Sequence, residues 1–137
     1  MDLSTLSTKQ KSEEGVVMTV EDPRTGEPLL DDQGEGVTIT VAGSDSKAYR
    51  TYSRKIQNKR LKNLKPGQRS LNIDSEEMEE EALELMCKCT LGWSGIAWQG
   101  EALECTPQNA KMLFTELGWL REQVDIFITD RANFFVT

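Results

Sequence analysis

The sequence predicts an α+β protein, a small N-terminal β-hairpin or meander followed by a mostly helical domain of about four helices. Three observations carry this. Val37-Thr38-Ile39-Thr40-Val41 alternates apolar and polar with the period of a half-buried strand. From about residue 47 onward, apolar residues recur at helical spacing. Turn and cap residues fall where those segments should begin or end, at Asp22-Pro23-Arg24-Thr25-Gly26, Ser44-Asp45-Ser46, Pro66-Gly67 and Thr106-Pro107.

Residues 1–14 are polar, with Leu3 and Leu6 the apolar anchors beyond Met1, and read as a disordered arm. Residues 15–137 are expected to form a single domain, with a β element over 15–43, a basic helix and linker over 44–69, and a helical part over 70–137. The β-branched run at 15–21 predicts one strand and 37–41 a second. A lone hairpin is marginal in water, so this element must pack on something else.

The Ser44-Asp45-Ser46 cluster caps a helix over about 47–63, with Tyr49, Tyr52 and Ile56 on one face and Pro66-Gly67 as its stop. Asp74 or Ser75 caps a second helix, in which Asp74-x-x-Glu77 resembles a capping box. Its inner face is expected to be Met78, Ala82, Leu85, Met86 and Cys89. Trp93, Ile96 and Trp98 sit among glycines over 93–105, an ordered loop or short hairpin. Thr106 caps a third helix with Pro107 at its first position. Ala110, Leu113, Phe114 and Leu117 face inward there, and Gly118 ends it. A last helix runs from about 119 to 132, with Leu120, Val124, Phe127 and Ile128 inward.

Composition bounds the chemistry. The chain has 137 residues, 37% hydrophobic and 28% charged, with a net charge of -7. That length sustains a core without metals or disulfides. Histidine is absent, which excludes Ser-His-Asp and Cys-His catalysis and every His-ligated metal site. Apolar runs reach only three residues, as at Ile126-Phe127-Ile128, too short for a membrane span or a signal-peptide core. A cytoplasmic location is the expectation. Cys87, Cys89 and Cys105 are an odd set and read as reduced thiols; residues 87 and 89 of a helix point to different faces, and no fourth soft ligand is present. No phosphate-binding loop, dinucleotide fingerprint or nucleophile elbow occurs. Glu101, Glu104, Asp125 and Asp130 read as surface charges. The expectation is therefore no catalytic residues, no metal and no cofactor.

Charge is segregated. Lys47, Arg50, Arg54, Lys55, Lys59, Arg60, Lys62, Lys65 and Arg69 occur with no acid among them. Asp74, Glu76, Glu77, Glu79, Glu80, Glu81 and Glu84 follow with no base. Like charges four apart, as in Arg50/Arg54 and Lys55/Lys59, cost a few tenths of a kcal/mol each. Three uses compete: mutual screening of the two helices, pairing with another subunit or partner protein, and nucleic-acid binding aided by Tyr49 and Tyr52. The negative net charge and the acidic helix weigh against nucleic acid. Arg50, Arg54, Lys55, Lys59 and Arg60 are the candidate basic contact surface. Trp93, Trp98 and Trp119 read first as packing anchors and second as contact anchors, since Trp dominates interface hot spots.

The C-terminal segments Trp98-Gln99-Gly100-Glu101, Thr106-Pro107-Gln108-Asn109-Ala110-Lys111-Met112-Leu113, Trp119-Leu120-Arg121-Glu122-Gln123-Val124 and Asp130-Arg131-Ala132-Asn133-Phe134 resemble, in order and spacing, the tail assembly chaperones of long-tailed bacteriophages. The resemblance covers roughly residues 90–135. It implies a non-enzymatic viral tail assembly factor of the host cytoplasm that is absent from the mature virion. Its partner would be the apolar, helical tape measure protein, with the tail tube protein and self-association as further options. With it, Trp93, Trp98, Trp119 and Phe134 become the candidate partner-binding residues. The alternatives are a structural tail or head–tail component, or a nucleic-acid-binding factor using 47–69. Because many members of that family come in two lengths through ribosomal frameshifting, Asn133-Phe134-Phe135 is expected to overlie a slippery codon run, making this chain the shorter product; the other reading, compatible with it, is that the two phenylalanines cap the last helix onto the core.

Overall fold

The computed structural model describes residues 1–67 and 74–136. Arg69 and the boundary expected at 69–70 lie outside the described residues. Among the described residues the fold is mixed α/β, with five α-helices and two small antiparallel sheets.

The two expected strands form and pair. β1 (Val16–Thr19) and β2 (Thr38–Val41) are antiparallel, with Met18 opposite Ile39. The segment between them folds back as nested turns. Glu21 bridges Pro28 and Leu30 bridges Gly36, and the Val20 amide donates to the Val37 carbonyl at 2.9 Å. The sheet does not end there. β3 (Thr90–Ser94), expected as helix end and loop, pairs with the other edge of β2 and gives the order β1-β2-β3. A register shift between Thr40 and Val41 leaves Leu91 as the extra residue of a bulge. The β element thus belongs to the same layer as a strand from the C-terminal half, which answers what the hairpin must pack on.

The inner sheet face carries Met18, Ile39 and Val41, all buried in one core with helix residues. α2 (Lys47–Asn63) starts at the expected cap, where Ser46 Oγ accepts from the Tyr49 amide. α3 (Ser75–Cys89) is capped by Asp74, whose carboxylate accepts from the Glu76 amide. The buried face of α3 is Leu83, Met86 and Cys89, whereas Met78 and Ala82 are exposed. α3 carries two overlapping apolar stripes, and the position of the sheet and later helices selects the one that includes Leu83. Of the two readings of 93–105, ordered loop or short hairpin, residues 97–102 take the hairpin, β4 (Ala97–Trp98) and β5 (Glu101–Ala102). Its two-residue turn has positive φ at both Gln99 (51°) and Gly100 (86°), the backbone that twists correctly into a tight hairpin.

α4 (Pro107–Glu116) begins as expected, with Thr106 Oγ accepting from the Asn109 amide at 3.1 Å. Its Ala110, Leu113 and Phe114 are buried. α5 (Gly118–Thr129) buries Leu120, Val124 and Ile128. It stops three residues short of 132, because Asp130 caps a separate 3-10 turn, Arg131–Phe134.

Residues 1–14 differ from the expected disordered arm. They hold a 3-10 turn (Leu3–Leu6) and α1 (Lys9–Glu14). Ser12 is buried, and its carbonyl accepts from the Gly43 amide at 3.1 Å. Glu13 accepts from the Lys47 amide at 2.8 Å, which places an acid at the N-terminus of α2. Polar composition misled here because the arm is tied down by backbone and carboxylate hydrogen bonds rather than by a large apolar face.

Candidate protein-binding site

Two of the four candidate contact residues line one pocket. Trp98 ends β4 and Trp119 opens α5, and both rim a cavity of about 180 Å³. Its walls are apolar, formed by Val20, Leu29, Val37, Ile96, Leu113, Leu117 and Leu120. A cavity of roughly 150 Å³ lined by aliphatic side chains holds a benzene-sized molecule. This one therefore has room for one large apolar side chain from another molecule. Trp98 and Trp119 are both half-buried, the usual state of an aromatic anchor that is held by its own fold and still reachable. The site draws on the turn segment, β4 and the junction of α4 and α5, which only Leu117 separates. Leu29, in the segment between β1 and β2, lines it without any periodic signal in the sequence that would have marked it.

The other two candidates are elsewhere. Trp93 lies in β3 opposite Ile39, half-buried, and its indole Nε1 donates to the Leu103 carbonyl at 2.7 Å. It braces the segment that leads into α4. Phe134 is 1% exposed. Its ring packs edge-on to Phe127, with centroids 5.8 Å apart. It also lies so close to Gly43 that an added Cβ there would sit 2.9 Å from the ring. Phe134 therefore packs into this protein's own core, as the reading in which it caps the last helix onto the core expects, and does not line the cavity.

Several polar residues of the resembling segments tie the C-terminal half together. The Asn109 amide donates to the Glu104 carbonyl at 2.8 Å, and that of Asn133 to the Phe127 carbonyl at 3.1 Å. Arg131 forks onto Asp45 with Nε–Oδ2 at 2.9 Å and Nη2–Oδ1 at 3.0 Å. The Asp45 carboxyl is held below its usual range, first by Arg131 and then by the Thr8 hydroxyl.

The basic helix and the acidic helix lie side by side. They run in opposite directions, since Lys88 of α3 sits over the Tyr52 ring at 5.5 Å while Lys59 meets Glu77. Lys59–Glu77 (3.4 Å) and Arg60–Glu81 (2.6 Å) link them. Two of the candidate basic residues are thus engaged within the chain. Arg50, Arg54 and Lys55 make no ion pair among the described residues, and α2 has no buried residue along its 17 positions. The acids of α3 are also served from behind, Glu80 by Lys111 at 2.6 Å and Glu79 by Arg121 at 2.9 Å.

The cysteines are spread over different environments. Burial pushes the Cys89 thiol up to about 12 and the Cys87 thiol up to about 11, and raises Cys105 as well. The raised values favour the neutral thiol, which is the poorer nucleophile. Among the described residues, no helix is long and apolar enough to cross a membrane. Comparison with protein-family models, with curated proteins and with solved structures finds no match to the chain.

Proposed function

We propose that this protein is a non-enzymatic tail assembly chaperone of a long-tailed bacteriophage, which holds apolar helical segments of the tape measure protein in the host cytoplasm until the tail tube forms around them. The reading rests on the resemblance of residues 98–134. The observation that carries it is the apolar cavity rimmed by Trp98 and Trp119, two residues of the resembling segments. Such a cavity suits one apolar side chain projecting from a partner helix, the usual anchor of helix-in-groove recognition. The exposed Ile126 on α5 adds apolar surface to the same helix that begins at the cavity.

The test is co-expression with the tape measure protein of the same phage. The chaperone reading expects the partner to move from the insoluble to the soluble fraction and to co-purify with this chain. An unchanged soluble fraction defeats it. Trp98→Ala and Trp119→Ala variants that retain native circular dichroism are expected to lose that capture.

A further inference from the structure

The hairpin of α2 and α3 leaves one side open. A groove of about 1110 Å³ runs between the two helices. One wall carries Lys55, Lys59 and Lys62 of α2, and the facing wall carries Glu77, Glu80 and Glu84 of α3. A smaller recess of about 600 Å³ continues it toward the start of α2 at Lys47. The open length is therefore close to that of α2 itself, about 25 Å at 1.5 Å per residue.

What fits this groove must present both signs of charge, in separate stripes and in reversed order. A polyanion satisfies the lysine wall but meets the glutamate wall, which repels phosphates. An acidic helix has the same difficulty. A second copy of this hairpin, turned over by a twofold axis, meets both demands at once. Its acidic α3 then faces Lys55 and Lys62, and its basic α2 faces Glu77 and Glu84. The four helices form an antiparallel bundle in which unlike charges are neighbours and like charges occupy the diagonals. The arrangement also brings acids to Lys55 and Lys62, which make no ion pair among the described residues, whereas Lys59 and Arg60 are already paired within the chain.

We propose that the α2–α3 hairpin is a self-association surface through which two copies pair, each basic α2 lying against the other copy's acidic α3. The interface is independent of the Trp98–Trp119 cavity, which lies between the turn segment, β4 and α5.

The test uses the full chain and sedimentation equilibrium. The wild type is expected to show twice the 15.4 kDa chain mass at low ionic strength. Its dissociation constant is expected to rise about tenfold or more between 0.05 and 0.5 M salt, as charges near a protein surface are screened. Two variants are built from groups without an ion pair among the described residues, so that neither breaks one there. Lys55→Glu with Lys62→Glu cancels the net charge of the basic wall, where Arg54 and Lys59 remain, and Glu76→Lys with Glu84→Lys adds bases to the acidic wall. Each alone is expected to be monomeric with native circular dichroism, and an equimolar mixture is expected to form the heterodimer. A wild type that stays monomeric at about 100 μM in low salt overturns the proposal. So does a variant that still dimerises alone, a mixture that stays monomeric, or a mass that rises only when an oligonucleotide is added.

Discussion

Gln123 on α5 completes the backbone hydrogen bonding of Glu21 in both directions. Its Oε1 accepts from the Glu21 amide at 3.0 Å and its Nε2 donates to the Glu21 carbonyl at 2.9 Å. A side-chain amide here takes the place of a neighbouring strand just beyond the end of β1. The contact joins residues 102 positions apart and fixes α5 against the start of the nested turns. Each neutral hydrogen bond contributes about 1 kcal/mol net. Gln123→Ala is expected to lower unfolding free energy by about 1–2 kcal/mol. Gln123→Glu is expected to be no better, because a carboxylate cannot donate to the carbonyl and adds charge beside Glu21. Urea unfolding curves of the three proteins decide it, and equal midpoints for wild type and Gln123→Ala would refute the role.

Gly43 is packed too tightly to accept a side chain. A Cβ there would lie 2.5 Å from Ser12 Oγ and 2.9 Å from the Phe134 ring. Gly43→Ala is expected to cost about 1–3 kcal/mol through overpacking. Phe134→Ala removes the ring from the same place and is expected to cost about 3–5 kcal/mol. Thermal unfolding of both checks this. A Phe134→Ala protein as stable as wild type would refute the contribution of Phe134 to the core.

Ser12 gives the opposite sign. Its hydroxyl is buried without a hydrogen-bond partner among the described residues. An unpaired buried hydroxyl destabilises, and an apolar group of similar shape does not. Ser12→Ala is expected to be neutral or to raise stability by up to about 1 kcal/mol. A loss of more than that in denaturant titration would mean the hydroxyl has a partner.

Asp45 predicts a pH dependence. Its folded carboxyl lies below the ordinary value of 3.8, held there first by Arg131 and then by Thr8. The folded state therefore favours the charged form more than the unfolded chain does. The resulting stability is fully present above the unfolded value and is lost as pH falls through the lower folded value. Arg131 is exposed and Asp45 only partly buried, so solvent screens the pair and its worth at pH 7 is about 1 kcal/mol or less. Asp45→Asn is expected to be less stable than wild type at pH 7 and to converge with it as pH falls below the lowered folded value of Asp45. Asp22, held near 2 by Arg24, titrates in both proteins, so the difference between their curves isolates Asp45. Parallel curves down to low pH would contradict the assignment.

The Trp98–Trp119 cavity separates binding from folding. If it seats a partner side chain, Trp119→Ala should weaken capture of the tape measure protein by about 1–2 kcal/mol, or some 5–30-fold. Trp93→Ala should act mainly on stability, because its indole bonds to the Leu103 carbonyl within the chain. Calorimetry of the purified complex distinguishes the two. Equal effects of both substitutions on affinity would remove the distinction.

Local rules account for what the sequence by itself determined. Ser46, Asp74 and Thr106 cap helices because a short polar side chain reaches an amide two or three residues ahead, a contact written into a few adjacent positions. The alternation at 37–41 and the Leu120, Val124 and Ile128 spacing likewise state which face turns inward. Tertiary structure decided the rest. Thr90–Ser94 is a strand because β2 offers a free edge some fifty residues earlier in the chain, and no local preference in Thr-Leu-Gly-Trp-Ser requires it. Leu83 rather than Met78 is buried because neighbouring elements choose between two stripes that the helical period permits equally. Residues 1–14 are ordered because Asp45 and Lys47 supply distant partners to Thr8 and Glu13. Phe134 left the surface for the same reason that Trp98 and Trp119 came together. Contacts between residues far apart in sequence depend on how whole elements pack, and one chain's local pattern does not encode that choice.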